Sequence, residues 1–163
     1  MRIIGIDPGY DRVGIAIIEK EGKNKESLIY SECLQTSIKD SFYIRLGLVG
    51  KRVEEIINQY SPSALAIESL FITKNQKTAM RVSEARGVII YQAIERDIPI
   101  YEYSPLQIKL AVTGYGASDK AQVIKMIPLL IKIGSKKKHD DEYDAIAVAL
   151  TCLASEGKSY PQK

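Results

Sequence analysis

A chain of 163 residues, 45% apolar and 26% charged, can bury one sizeable core and is too apolar to stay disordered, so a single domain over 1–163 is expected. No apolar run approaches the roughly 20 residues of a membrane helix, and the strand-like N-terminus, carrying Arg2 and Asp7, does not resemble a signal peptide. The net charge of +3 hides a contrast: residues 69–138 hold 12 Lys and Arg against 5 Asp and Glu, which suits a polyanion and equally a lysine-rich solvated surface.

Residues 2–7 form a short apolar run, read as a buried strand that ends on Asp7 before Pro8 and Gly9 turn the chain. A second strand follows over 13–20, Gly22 signals a hairpin turn, and a third strand covers 26–36. Ile44, Leu48, Val53, Ile56, Ile57 and Tyr60 recur at helical spacing and predict an amphipathic helix over 42–59, stopped by Ser61 and Pro62. "SALAIES" is a fourth strand finishing at Glu68. A long helical pattern over 76–96 runs through Ala79, Val82, Ile89, Ala93 and Ile94. Gly87 inside it costs about 1 kcal/mol relative to Ala, which predicts close packing there against another element.

A fifth strand is predicted over 98–103, and Ser104, Pro105 and Gln107 spell a capping box that starts a helix. Two further helices are expected near 119–133 and 140–156, with Pro128 kinking or splitting the first. Three hairpin-linked strands followed by alternating helices and strands make an α/β fold, a mixed sheet with helices on its faces. Cys33, Cys152 and the lone His139 have no ligand-like spacing, so neither a disulfide framework nor a zinc site is expected and a reducing cytoplasm fits.

Asp7 and Glu68 each end an apolar strand, where a carboxylate is partly desolvated and needs a cation or donors to stay ionised. Taken singly, such acids more often cap a turn. The stretch "HDDEYDAIAVAL", 139–150, adds a third element. At about 100° per residue, Asp141 and Asp144 share the side of the helix that also carries Ala145 and Val148, while Asp140 points outside it. A dipole role explains Asp140 and Glu142 but not acids on the apolar side. Asp7, Glu68, Asp141 and Asp144 thus form a candidate set of hard oxygen ligands suited to Mg²⁺, with Mn²⁺ as substitute. Two such ions about 4 Å apart are the common device for in-line phosphoryl displacement, and Asp7 is the natural bridging ligand.

"GIDPG", "AIESLF", "ARG", "GASDKAQV" and "DEYDAIAVAL", in this order, closely resemble the RuvC-type Holliday junction resolvases of bacteria, over nearly the whole chain to about residue 153. The resemblance implies an RNase H-like fold with a five-stranded sheet, a homodimer, and Mg²⁺-dependent cutting of four-way DNA junctions by paired symmetric nicks in recombination and repair. It implies that acids at Asp7, Glu68, Asp141 and Asp144 bind the metals. Lys109 and Lys120 are placed near the cleaved strand, Phe71 against bases near the crossover, and a junction-migrating helicase pair of the RuvA and RuvB type as partner. Read from the residues alone, Phe71, Lys74, Lys77, Arg81 and Arg86 are a stacking ring with cations beside it, though Phe71 by itself reads more readily as a core anchor.

Three other readings compete. An actin-like or sugar-kinase-like ATPase needs a second lobe with another glycine-rich phosphate loop, which the sequence lacks. A non-catalytic DNA-binding module would leave four intact carboxylates without use. The leading alternative is another RNase H-like nuclease, acting on RNA–DNA hybrids or other branched DNA.

Overall fold

The two-residue period of side chains along the first strands decides which side of the sheet each residue faces. The structure, a computed structural model, describes residues 1–22, 26–70, 76–134 and 138–155. Its elements are β1 (Arg2–Asp7), β2 (Arg12–Lys20), β3 (Glu26–Gln35), α1 (Phe42–Tyr60), β4 (Ala64–Glu68), α2 (Gln76–Ile94), β5 (Ile100–Tyr103), α3 (Pro105–Thr113), α4 (Lys120–Leu130) and α5 (Asp140–Ala154). The five strands lie in the order β3-β2-β1-β4-β5. β1, β2 and β3 are antiparallel neighbours, whereas β4 and β5 run parallel to β1 after helical crossovers.

Along β1, Ile4 and Ile6 face a core shared with Leu65, Ile67, Val53 and Ile89, on the side covered by α1 and α2. Ile3, with Ala16, Ala64 and Ala66, faces the other core, built on α5 with Ile108, Val123 and Ile127 from α3 and α4. Period two therefore puts Gly5 and Asp7 on the α5 side, and likewise Glu68 with Ala64 and Ala66. Burial is nearly complete in both cores, which explains why β1 and β2 read as continuous apolar runs.

α5 lies against the sheet on two glycines. A Cβ at Gly14 would overlap the Asp141 carbonyl, and one at Gly5 would overlap the Ala145 carbonyl and crowd Ala149. Residues 141, 145 and 149 are one helical face, so a diagonal of small residues and backbone brings the helix down onto β1 and β2. The start of α3 is as the sequence spells it. Ser104 Oγ accepts from the Gln107 N–H at 3.2 Å, and Gln107 Oε1 accepts from the Ser104 N–H at 2.8 Å.

Three expectations are corrected. Ile44 and Leu48 are not on the buried stripe of α1; they are 56% and 43% exposed, and Arg45 is buried instead. Arg45 takes that place because its guanidinium binds the turn after β1, pairing with Asp11, donating to Thr36 Oγ1 at 2.9 Å and lying over the Tyr10 ring. Gly87 makes no close packing, since a Cβ there would meet nothing within 4 Å. The tight approach of α1 to α2 falls at Gly50, where a Cβ would crowd Val88. Pro128 does not split its helix: α4 runs through it and stops two residues later, at Leu130.

Candidate active site

Asp7 closes β1 opposite Gly14 on β2, and the parallel partner strand brings Glu68 alongside it, one step beyond the Ile6–Ile67 pair. Both carboxylates project to the α5 side, toward the first turn of that helix. Asp141 and Asp144 stand there three residues apart, on the side that faces the sheet. Periodicity separated Asp140 from Asp141, and the structure agrees: the Asp140 side chain is 67% exposed and that of Asp141 is 15% exposed.

Three of the carboxylates are raised together. Burial, and then the charges of Asp144, Glu68 and Asp141, push the Asp7 carboxyl up to about 8, a rise that Lys120 partly offsets. Burial and Asp144 raise Glu68, with Lys120 and Lys109 opposing. Asp144 is raised as well, by burial first, against the pull of Lys120. The Lys120 ammonium is the cation that meets Asp144, donating to its Oδ2 at 2.7 Å and lying 3.7 Å from Asp140. Burial opposes its charge, but Asp144 leads a set of carboxylates that outweighs burial and holds it protonated.

Among the described residues no three acidic, histidine or cysteine side chains are drawn together into a finished coordination sphere. The donor set nevertheless fits a hard divalent cation. It is all carboxylate, partly buried, short of positive charge at Asp7, and open to a cleft of about 220 Å³ lined by Glu68, Lys109, Lys120 and Asp144. A second cleft, of about 300 Å³, adjoins it along Asp7, Pro8, Glu68 and Pro105. Together they form a trough across the strand ends, with acids on its floor and two lysines on one wall.

The other predicted residues divide. Lys109 and Lys120 stand at the trough. Arg81 does not project as a free cation; its guanidinium lies 5.0 Å from the Phe42 ring centroid and 5.8 Å from that of Tyr10, against the turn that follows Asp7. Arg86 turns away to pair with Glu102 at 2.5 Å on the α2 side, and Lys77 is exposed on α2. Phe71 and Lys74 lie outside the described residues. Sequence reading missed Arg45, Tyr10 and Phe42, the edge-to-face ring pair and cation that fix the turn beyond Asp7. An arginine on the apolar phase of α1, four residues before Val49, was the available signal.

A mixed sheet of this order, with acids at the ends of its central strand and the parallel strand beside it, and on the crossing helix, is an RNase H-like fold. The family described as crossover junction endodeoxyribonuclease RuvC matches residues 3–152. The crossover junction endodeoxyribonuclease RuvC of Thermosipho melanesiensis is 48% identical over 156 residues, covering 96% of this chain and 98% of its own. That of Alkaliphilus metalliredigens is 45% identical over 157 residues, covering 96% and 94%. Thermus thermophilus RuvC in complex with a Holliday junction substrate superposes with a TM-score of 0.89 at 30% identity, covering 96% of this chain and 95% of that one. The chain belongs to the RuvC family of crossover junction endodeoxyribonucleases. The yeast mitochondrial Holliday junction resolvase Ydc2 shares the fold, with a TM-score of 0.69 at 13% identity, covering 93% of this chain and 77% of that one.

Proposed function

We propose that this protein is an endonuclease that resolves four-way DNA junctions by paired symmetric nicks, using Mg²⁺, with Mn²⁺ able to substitute. In this reading it is a single nuclease domain that works in the cytoplasm as a homodimer, after a helicase pair of the RuvA and RuvB type has moved the junction. The observation that carries the chemistry is Asp7, a half-buried carboxylate held among three others and pushed up to about 8. Such a group is costly to ionise without a cation of higher charge than one lysine provides.

Asp7, Glu68, Asp141 and Asp144 would hold the ions, which supply water activation and charge neutralisation for in-line phosphodiester hydrolysis. The protein's own groups do the placing. β1 and β4 fix Asp7 and Glu68 as neighbours, and α5 presents Asp141 and Asp144 over them. Lys109 and Lys120, on the trough wall, meet phosphates of the cut strand, with Lys120 exchanging Asp144 for a phosphate oxygen. Phe71 and Lys74 would contact the junction DNA in this reading, and Arg81 acts through the ring cluster it caps.

The test is incubation with a synthetic mobile four-way junction, with and without Mg²⁺, reading nicks on all four strands. Paired symmetric nicks that need the ion are expected. Cutting confined to an RNA–DNA hybrid offered in parallel would replace the junction with that substrate.

A further inference from the structure

Glu142 lies between Asp141 and Asp144 on α5, where a dipole role would leave it in solvent. Its side chain is instead 10% exposed, and that of Lys138 is 11% exposed. Two charged groups buried this far need fixed partners. They find one on the edge strand: Ser31 of β3 donates its hydroxyl to Glu142 Oε2 at 2.6 Å and accepts from Lys138 Nζ at 2.8 Å. Lys138 and Glu142 are themselves 3.8 Å apart. Glu142 Oε1 accepts from the His139 backbone N–H at 2.9 Å, so the same carboxylate also closes the first turn of the helix.

The same face of β3 reaches Asp141. Ser31 pairs with Ala16 and Cys33 with Gly14, so both point toward α5. The Cys33 thiol donates to Asp141 Oδ2 at 3.5 Å, and Arg12 Nε lies 3.6 Å from that oxygen. Both contacts fall on one oxygen of the carboxylate. Apolar contacts alone would let the helix slide on its glycine bed, whereas a three-way hydrogen-bonded junction is directional.

We infer that Lys138, Ser31 and Glu142 form a positioning clasp that sets the height and rotation of the first turn of α5, and with it the placement of Asp141 and Asp144 for divalent cations. None of the three touches substrate; they act through the two aspartates. The inference rests on the proposed metal site. It gives β3, remote in sequence from every ligand, a part in assembling them.

The test compares wild type, Ser31→Ala, Ser31→Thr and Lys138→Met. In EDTA, hydrogen exchange of the Tyr143 and Asp144 amides is followed; Mg²⁺ binding is measured by calorimetry without DNA; junction cleavage is measured across a Mg²⁺ titration. Ser31→Ala and Lys138→Met are expected to speed exchange in the first turn of α5 while β1 stays protected. They should weaken Mg²⁺ binding and raise the half-saturating Mg²⁺ about tenfold, the scale of loss for groups that orient metal ligands. Junction affinity should stay within about twofold, since backbone cations elsewhere dominate it. Ser31→Thr, which keeps the hydroxyl, should restore wild-type behaviour. Folded Ser31→Ala and Lys138→Met proteins with wild-type exchange and Mg²⁺ requirement would overturn the clasp alone. A wild type that neither binds Mg²⁺ nor needs it to cut would overturn the metal site and the clasp together.

Discussion

At the scale of single residues, the cost of ionising Asp7 gives a thermodynamic handle that needs no substrate. The unfolded chain releases that proton near 3.8, while the folded protein holds it to about 8. The folded state binds more protons across that window, so stability falls as pH rises from about 4 to 8. Asp7→Asn should flatten this slope: in EDTA the variant should melt several degrees above wild type at pH 8 and level with it near pH 4. It should also abolish Mg²⁺-dependent nicking while leaving junction binding largely intact. Thermal melts across pH, run beside a cleavage assay, check both; equal melting at pH 8 would contradict the buried charge. Lys120 carries the opposite charge at the same trough. Lys120→Ala should weaken binding about equally across junction sequences and lower the salt slope by about 1. Its cleavage rate should fall as well, because the ammonium no longer neutralises charge at the cut phosphate. Titrations of affinity against salt, on two junction sequences, separate this from a solvated lysine.

Secondary elements were easier to read than their packing partners. The apolar runs of the strands and the capping box at Ser104 were plain in the residue order because they depend on neighbours in sequence. The phase of α5 was equally plain, and it makes a sharp test. Asp141→Asn should cut Mg²⁺-dependent activity severely and raise the metal requirement. Asp140→Asn should leave the rate near wild type and change stability by about 0.3–1 kcal/mol through the helix dipole. A Mg²⁺ titration on one junction compares the two, and greater damage from Asp140→Asn would shift the ligand by one residue. What stayed illegible was pairwise and distant. Nothing near Gly87 announces that the close helix contact lies at Gly50, and nothing near Ser31 announces its link to Glu142. Arg45 was hidden by the same limit: its partners Asp11 and Thr36 are brought to it only by the finished fold. Gly14→Ala tests the packing that resulted. An added methyl would overlap the Asp141 carbonyl, so α5 must lift. A loss of about 1–3 kcal/mol in urea unfolding is expected, with cleavage reduced more than that loss alone would explain.

On the scale of the whole molecule, the sheet is made early in the chain and the site late. β1 to β3 are sequence neighbours joined in antiparallel pairs, but the acids sit at residues 7, 68, 141 and 144. α5, which carries two of them, also covers the sheet face built on Ile3, Ala16, Ala64 and Ala66. The contact that buries that face is therefore the same contact that brings the last two acids to the first two. During synthesis on the ribosome, a chain that has released β1 through α4 still lacks two of the four proposed ligands and shows an uncovered apolar sheet face. On the proposed metal site that form cannot yet cut DNA, and its uncovered apolar face is the kind of surface other chains bind. If the four acids hold the ions as proposed, the metal site is completed and that apolar face is covered in a single step, when the helix over residues 140–154 docks.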